Sequence, residues 1–407
     1  MKPDGFFATW KWALAAAAIV VWTLMSAIVH EEVWAWLGVW SLPAPFTDLA
    51  AIFAAGEAWT AGLDVYQINP YDPMGRPHVY GPWWLVTGPL GWTVADTRWA
   101  GALLVLVFIG VVVALARPRT PRTAAATALF LLSSPVLLGM ERANNDLVVV
   151  ILLAAAAWLI GRGARAARLG AAMLVLAAGL KIYPLAAFTA IGAERGKIRW
   201  LTIAAAVAAS AAIFLIWRED YARIVQIAPR PMTVFSYGLR TIYYSWEGFA
   251  QHRWVYAPPL FVLGAAGAWL VWRARAGLWE LIPLEGGRAA AYLAGASAWV
   301  FCFLANTNYP YRVALLALCL PLWLRDKREA GAEEGRAGRR LLALVLLAGW
   351  MSIPKMWWTN AGEAGLLVEA AGKWVVGISG ADQAMWLTLT AAMGITLLGW
   401  ARRRLSS

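Results

Sequence analysis

LGAAMLVLAAGLKIYPLAAFTAIG, from Leu169 to Gly192, carries one charge, Lys181, in an otherwise apolar run. It reads either as one kinked membrane span or as a tight helical hairpin turning at Lys181-Ile182-Tyr183-Pro184. The choice reaches beyond the segment, because it sets the side of the membrane on which every later loop lies.

That a membrane is involved follows from composition. Apolar blocks of about 12 to 24 residues recur along the chain, separated by short basic loops. Of 407 residues, 61% are hydrophobic and 14% charged, against roughly 45–50% and about 25% in soluble domains. A soluble core cannot hide so many apolar blocks, whereas a bilayer can. The 27 Trp also suit membrane interfaces better than a soluble surface. A cytosolic enzyme, a disordered scaffold and a nucleic-acid binder are excluded, despite the net charge of +12. Cys302 and Cys319 both lie in apolar blocks and offer neither a disulfide framework nor zinc spacing. The expectation is an all-α polytopic integral membrane protein, with residues 1–407 forming one domain.

The first span is Trp10 to Val29; its length and the Trp-rich stretch after it argue against a cleaved signal peptide. Further spans fall near 97–116, 123–139, 147–161, 200–216, 254–272, 288–304, 310–324, 341–353 and 385–400. Loop charge then decides residues 169–192. With a hairpin, twelve segments place both termini in the cytoplasm. The basic residues from Lys2 to Arg122, Arg162 to Arg199 and Arg273 to Arg288 fall inside if those on outer loops are set aside. So do the charged loop 325–340 and Arg402 to Arg404. That collects 23 of the 35 basic residues, leaving 12 basic against 15 acidic outside, or about +15 inside and −3 outside. A single span would push the Arg-rich 325–340 loop outside, against the positive-inside rule. The hairpin is preferred. Arms of about 12 residues reach only ~18–20 Å, short of the ~30 Å hydrocarbon core. Lys181 is therefore expected at the floor of an outward-opening cavity.

The longest outer segment, residues 30–98, predicts a helix from Thr47 to Ala61, with Leu49, Ile52, Phe53, Gly56 and Trp59 on one face, lying along the membrane surface. Asn69 to His78 is too rich in proline to be regular, and Pro82 to Trp92 suggests a second interfacial helix. Asp48 would either complement the helix dipole beside Thr47 or act as a general base at the membrane surface. Glu141-Arg142-Ala143-Asn144-Asn145-Asp146 forms a short polar turn between spans, where ionisable groups so close to hydrocarbon are costly. Lys181 could pair with Asp146 or Glu141, or hold a lipid phosphate. Arg312, in Asn306-Thr307-Asn308-Tyr309-Pro310-Tyr311-Arg312, is either an interfacial anchor or a second phosphate ligand. Arg240 and His78 are weaker candidates on irregular loops. No phosphate-cradling glycine loop, Ser-His-Asp order, metal-ligand cluster or DxD spacing appears, so no metal or cofactor is implied.

Taken together these motifs resemble the GT-C superfamily of polytopic glycosyltransferases, in particular glycosyltransferase family 87. Phe46-Thr47-Asp48, with the Ala-rich helix running on to Val65-Tyr66, resembles the family's first outer loop, in which an early Asp is the catalytic base. Tyr80-Gly81-Pro82-Trp83-Trp84 resembles its Tyr-Pro-Pro-type segment, Asn144-Asn145-Asp146 its Asn-containing turn, and Leu180-Lys181-Ile182-Tyr183-Pro184 its Lys-x-x-Pro hairpin turn. Glu141-Arg142 stands where many members have Gly-Gln, and Tyr311-Arg312 where many have a His pair.

The resemblance implies a GT-C-type bundle and a polyprenyl-phosphate sugar as donor, mannose being the expected hexose. A hydroxyl on a glycolipid or glycan is the acceptor, and bacterial inner membrane the location, with the site facing the periplasm or exterior. Asp48 is implied as the base, and Lys181, Arg312 and Arg142 as donor-phosphate ligands. Asn144, Asn145, Asp146, Tyr183, Tyr309, His78 and Arg240 are implied around the substrate, beside membrane lipid and without nucleic acid. Two other readings stand at this point. One is a twelve-span transporter of a lipid-linked or anionic solute, against which the single Pro-interrupted hairpin counts. The other is a non-catalytic subunit that keeps the scaffold.

Overall fold

The computed structural model describes all residues except 1–2, 31, 43, 195–198, 230–234, 306, 326–328, 330, 364–367 and 407. Lys2, Arg195, Lys197, Asn306 and part of the 325–340 loop, used in the sequence reading, lie outside the described residues.

The chain is an all-α polytopic membrane protein. Its helices run α1 (Pro3–Val29), α2 (Glu32–Trp36), α3 (Thr47–Thr60), α4 (Thr97–Ala116), α5 (Pro121–Leu131), α6 (Ser134–Glu141), α7 (Asp146–Ile160), α8 (Ala164–Leu180), α9 (Arg199–Ile216), α10 (Arg218–Ile227) and α11 (Leu239–Gly248). They continue with α12 (Arg253–Trp279), α13 (Gly287–Ala305), α14 (Leu320–Trp323), α15 (Ala332–Trp350), α16 (Ser352–Glu363) and α17 (Val368–Ser406). Among the described residues seven helices are long and apolar enough to cross a membrane, or eight if α5 and α6, bent by 58°, form one span. Helix α13 is the central post, buried at every residue from Ala289 to Trp299. Its small side chains allow close neighbours: a Cβ on Gly295 would sit 2.8 Å from the Leu315 carbonyl oxygen. By contrast α1, α9 and α12 expose Trp22, Trp200, Leu215, Phe261 and Trp269, the pattern of surfaces turned toward lipid.

Residues 169–192 do fold as two segments meeting at Lys181, but their form differs from the expectation. The first arm, α8, has 17 residues rather than about 12. The second, Tyr183–Ala193, is a 3-10 helix. At ~2.0 Å rise per residue against 1.5 Å, its 11 residues reach about 22 Å. Pro310–Cys319 does the same, and both 3-10 runs carry Pro in their first turn after a Tyr. Short apolar blocks thus gain length by winding tighter. The expected span 123–139 is instead two helices broken between Leu131 and Ser134, where Pro135 enters at the first turn of α6.

The surface placement of α3 is corrected. Eleven of its fourteen residues are buried, so it is packed within the protein rather than laid along an open surface. Its Ala-rich sequence is small on every side, which lets neighbours close around it. A Cβ on Gly88 would collide with the Gly56 carbonyl, so the two backbones touch there. The second expected interfacial helix is the short 3-10 turn Pro82–Thr87, with Trp84 and Leu85 buried.

Candidate active site

Asp48 lies in the first turn of α3, and the chain reaches it through Phe46 in the left-handed region (φ 63°). A non-glycine residue there costs on the order of 1 kcal/mol. The Phe46 ring is seated against Gly101 of α4, where a Cβ would stand 2.5 Å from Cγ. Two backbone bonds fasten α3 to the 141–142 turn: Phe46 N donates to Glu141 O at 2.8 Å and Asp48 N to Arg142 O at 3.2 Å. The Glu141 carboxylate accepts from Leu42 N at 3.1 Å.

Across that turn, Ala143 (φ 44°) swings Asn144 toward Asp48. Asn144 Nδ2 donates to Asp48 Oδ2 at 2.6 Å, while Asn144 Oδ1 accepts from Asp146 N at 2.9 Å. Both ends of one fully buried amide are used, which fixes the rotamer of Asp48 and the start of α7 together. On its other oxygen, Asp48 faces Arg76 Nη1 at 3.6 Å. Arg76 forks onto Asp72 with two 2.9 Å bonds and donates to Thr47 O at 2.7 Å. Burial pulls the Arg76 guanidinium down, but Asp72 and then Asp48 outweigh it and the net shift is upward.

Asp146, fully buried, is the hub of the second half. Its Oδ1 accepts from Lys181 Nζ and, at 2.8 Å, from the Tyr183 hydroxyl; its Oδ2 stands 3.7 Å from Arg312 Nε. Arg312 also donates to Asn308 Oδ1. Asn308 is held by an antiparallel bridge to Tyr237 and by its amide on Cys302 O at 2.6 Å. Lys181 Nζ lies 5.5 Å from the Tyr80 ring centre and 5.8 Å from that of Tyr311, within cation–π range. Tyr80 reaches it because the first outer loop docks on the hairpin tip through two glycines. A Cβ on Gly81 would lie 2.5 Å from Gly179 O, and one on Gly179 2.7 Å from the Trp83 ring.

These groups border a cleft of about 820 Å³. Asp48 and five cations, Arg76, Arg142, Lys181, Arg240 and Arg312, line it, together with His78, Tyr183, Tyr309 and Tyr311. The sequence-derived candidates Asp48, Arg142, Lys181 and Arg312 are therefore brought into one cavity. Asn144, Asn145 and Asp146 stand behind the wall, buried. Asn144 and Asp146 hold lining groups, whereas the Asn145 amide makes no side-chain hydrogen bond among the described residues. Arg240 reaches the cleft from the start of α11. Tyr309 stacks on Tyr311 with ring centres 5.3 Å apart, and burial pushes its hydroxyl pKa up. His78 is 2% exposed, and burial pulls it down to about 4, so it is a neutral ring beside Gly81 O at 3.4 Å.

Sequence reading missed Arg76, Asp72, Tyr80 and Asn308. The Asp72-to-Arg76 spacing, four residues inside an irregular stretch, was the available signal for a locally closed ion pair.

Chemically, the cleft offers one fixed carboxylate facing several partly neutralised cations. That set can accept a proton at one point and hold a dianionic group at another. Residues 79–282 match the model of glycosyltransferase family 87. The match includes Arg142, Lys181 and Arg240 and leaves Asp48, Arg76 and Arg312 outside it. No curated protein and no solved structure matches the chain.

Proposed function

The chain belongs to glycosyltransferase family 87, and on that premise we propose that the Asp48 cleft transfers a hexose from a polyprenyl-phosphate donor to an acceptor hydroxyl. Asp48 is the base. The hydroxyl oxygen attacks the anomeric carbon as its proton passes to Asp48, and the bond from that carbon to the phosphate oxygen breaks. Its electron pair leaves with the lipid phosphate, so the anomeric centre inverts. Lys181 and Arg312, with Arg142 and Arg240 in the same lining, stabilise the charge growing on that phosphate, an effect of several kcal/mol in comparable sites. Tyr80, Tyr309 and Tyr311 supply rings against which a sugar can lie.

One observation carries this reading: a buried carboxylate and a cluster of five cations line the same cleft. A transporter of anions would need the cations but has no use for a carboxylate clamped by Asn144 and Arg76. Mannose is the proposed hexose, and a glycolipid or glycan the proposed acceptor, on the family resemblance alone.

Counting the shorter apolar segments Asn145–Ile160, Ala164–Leu180, Tyr183–Ala193 and Pro310–Trp323 as crossings beside the eight longer ones gives twelve. Both termini then lie in the cytoplasm of a bacterial inner membrane and the cleft opens outward, as the loop charges favour.

The test is transfer of labelled mannose from purified polyprenyl-phosphate-mannose by the full-length protein in detergent, against the same label on a nucleotide sugar. Transfer from the lipid donor only is expected. Transfer from the nucleotide sugar, or movement of intact donor across a proteoliposome membrane without transfer, would overturn the proposal.

A further inference from the structure

Helix α13 borders a cavity at each end. The Asp48 cleft takes Cys302 and Ala305 from the C-terminal end of α13. A second cavity, of about 760 Å³, takes Gly287, Arg288 and Ala291 from its N-terminal end, and Ala154, Ala157 and Trp158 from the C-terminal half of α7. With 19 residues α13 spans about 28 Å, so the two cavities lie on opposite faces of the bundle. The second one is on the face that the loop charges assign to the cytoplasm.

Its walls, between α4, α5, α7, α13 and α15, are largely alanine and leucine with the rings of Trp158 and Trp323. Its charge is one-sided. Seven arginines line it, and among the described residues Glu329 is the one carboxylate that does. Arg119 and Arg288 both turn to Glu329, at 3.4 and 2.9 Å, yet their side chains stay 63% and 44% exposed. The Arg162 guanidinium carbon lies 3.6 Å from the centre of the Trp158 ring, a cation–π contact that uses no N–H donor.

Arginines at cytoplasmic helix ends need no cavity to orient a protein; Arg165 and Arg402 occupy such ends and do not line this one. Here seven converge on a concave, apolar-walled space whose volume falls in the ~300–1,000 Å³ range of ligand sites. A surplus of guanidinium over carboxylate suits a phosphate, which Arg binds in a fork. Apolar walls suit hydrocarbon. Basic pockets between membrane helices on this face are suited to anionic lipid headgroups.

We propose that this cavity binds an anionic phospholipid. Its phosphate lies among Arg119, Arg122, Arg162 and Arg288, and an acyl chain runs along Ala126, Ala154 and Leu346. The site is independent of the sugar-transfer reading, since none of these residues borders the Asp48 cleft.

Native mass spectrometry of the delipidated full-length protein, titrated with phosphatidylglycerol, phosphatidylcholine or inorganic phosphate, tests it. Because bound lipid is counted on the folded population, a variant that partly misfolds still gives a reading. Phosphatidylglycerol is expected to bind at least about tenfold more tightly than phosphatidylcholine, with no competition from inorganic phosphate at equal phosphate concentration. The Arg122→Gln/Arg162→Gln variant should lose about tenfold in that affinity. Arg165→Gln/Arg402→Gln, which removes the same charge elsewhere on this face, should stay within about threefold, and Arg122→Lys/Arg162→Lys, which keeps the charge but loses the fork, should lose less than the Arg122→Gln/Arg162→Gln pair. Equal binding of the two lipids, displacement by inorganic phosphate, or equal losses in both Gln pairs would each overturn the proposal.

Discussion

Replacing Asp146 by Asn removes one negative charge from the point where Lys181, Tyr183 and Arg312 converge. At an effective dielectric near 20, a charge pair at the 3.7 Å separating Asp146 from Arg312 interacts by about 4 kcal/mol before desolvation is counted. Removing one member of a buried pair typically costs about 3–5 kcal/mol, because the partner stays buried without compensation. Two cations are stranded here, with side chains 10% and 23% exposed, so the loss of stability should fall in that range. The second half of the prediction separates charge from packing. Adding Lys181→Met to Asp146→Asn removes one stranded cation and should restore about 2 kcal/mol. The assay is equilibrium unfolding by SDS titration of wild type, both single variants and the double variant, read as a double-mutant cycle. The coupling should be at least about 2 kcal/mol in favour of the native pair. Additive losses, or an Asp146→Asn protein as stable as wild type, would refute the claim that this carboxylate holds the two cations in place.

Asn144→Ala removes the 2.6 Å bond that sets the Asp48 rotamer. It should lower kcat by about ten- to a hundredfold with little change in KM, and an unchanged kcat would show that Asp48 needs no such support. Gly81→Ala puts a Cβ into Gly179 O and Leu180 O and should cost about 1–3 kcal/mol in the same unfolding assay, whereas Gly110→Ala, with open space around it, should cost far less. Equal effects would contradict the close approach. His78 is buried neutral with its pKa pulled down to about 4, so the unfolded chain takes up its proton first as pH falls. Stability from that neutral burial is complete above about pH 6.5 and declines by about 3 kcal/mol toward pH 4. The stability difference between wild type and His78→Gln should shrink over that window, and a flat difference would exclude neutral burial.

How much of this was legible in the sequence depended on what each feature answers to. The span 97–116 was read at the bounds that α4 has, because the uncharged run from Trp99 to Ala116, flanked by Arg98 and Arg117, leaves little choice. The break at Lys181 was legible through loop charge rather than through local propensity. The 3-10 form of Tyr183–Ala193 and Pro310–Cys319 was not, since hydrophobic runs do not distinguish helix types at that length; only the shared Tyr-Pro start hinted at it. The burial of α3 escaped because an Ala-rich face reads as neither inside nor outside until its neighbours are known. Asp48, Lys181 and Arg312 were legible as unusual charges near hydrocarbon. Arg76 was not, because its loop carries no periodicity and its role depends on Thr47 and Asp48, nearly thirty residues earlier.

The assignment of Asp48 as the base is the centre of the account, and hexose transfer by Asp48→Asn is its most direct measurement. Asn keeps the shape and can still lie beside Asn144 and Arg76, but it cannot take the acceptor's proton. With wild type active on polyprenyl-phosphate-mannose and both proteins equally folded by SDS titration, turnover by the variant should fall by about 10²–10⁴-fold. Turnover equal to wild type would contradict the assignment.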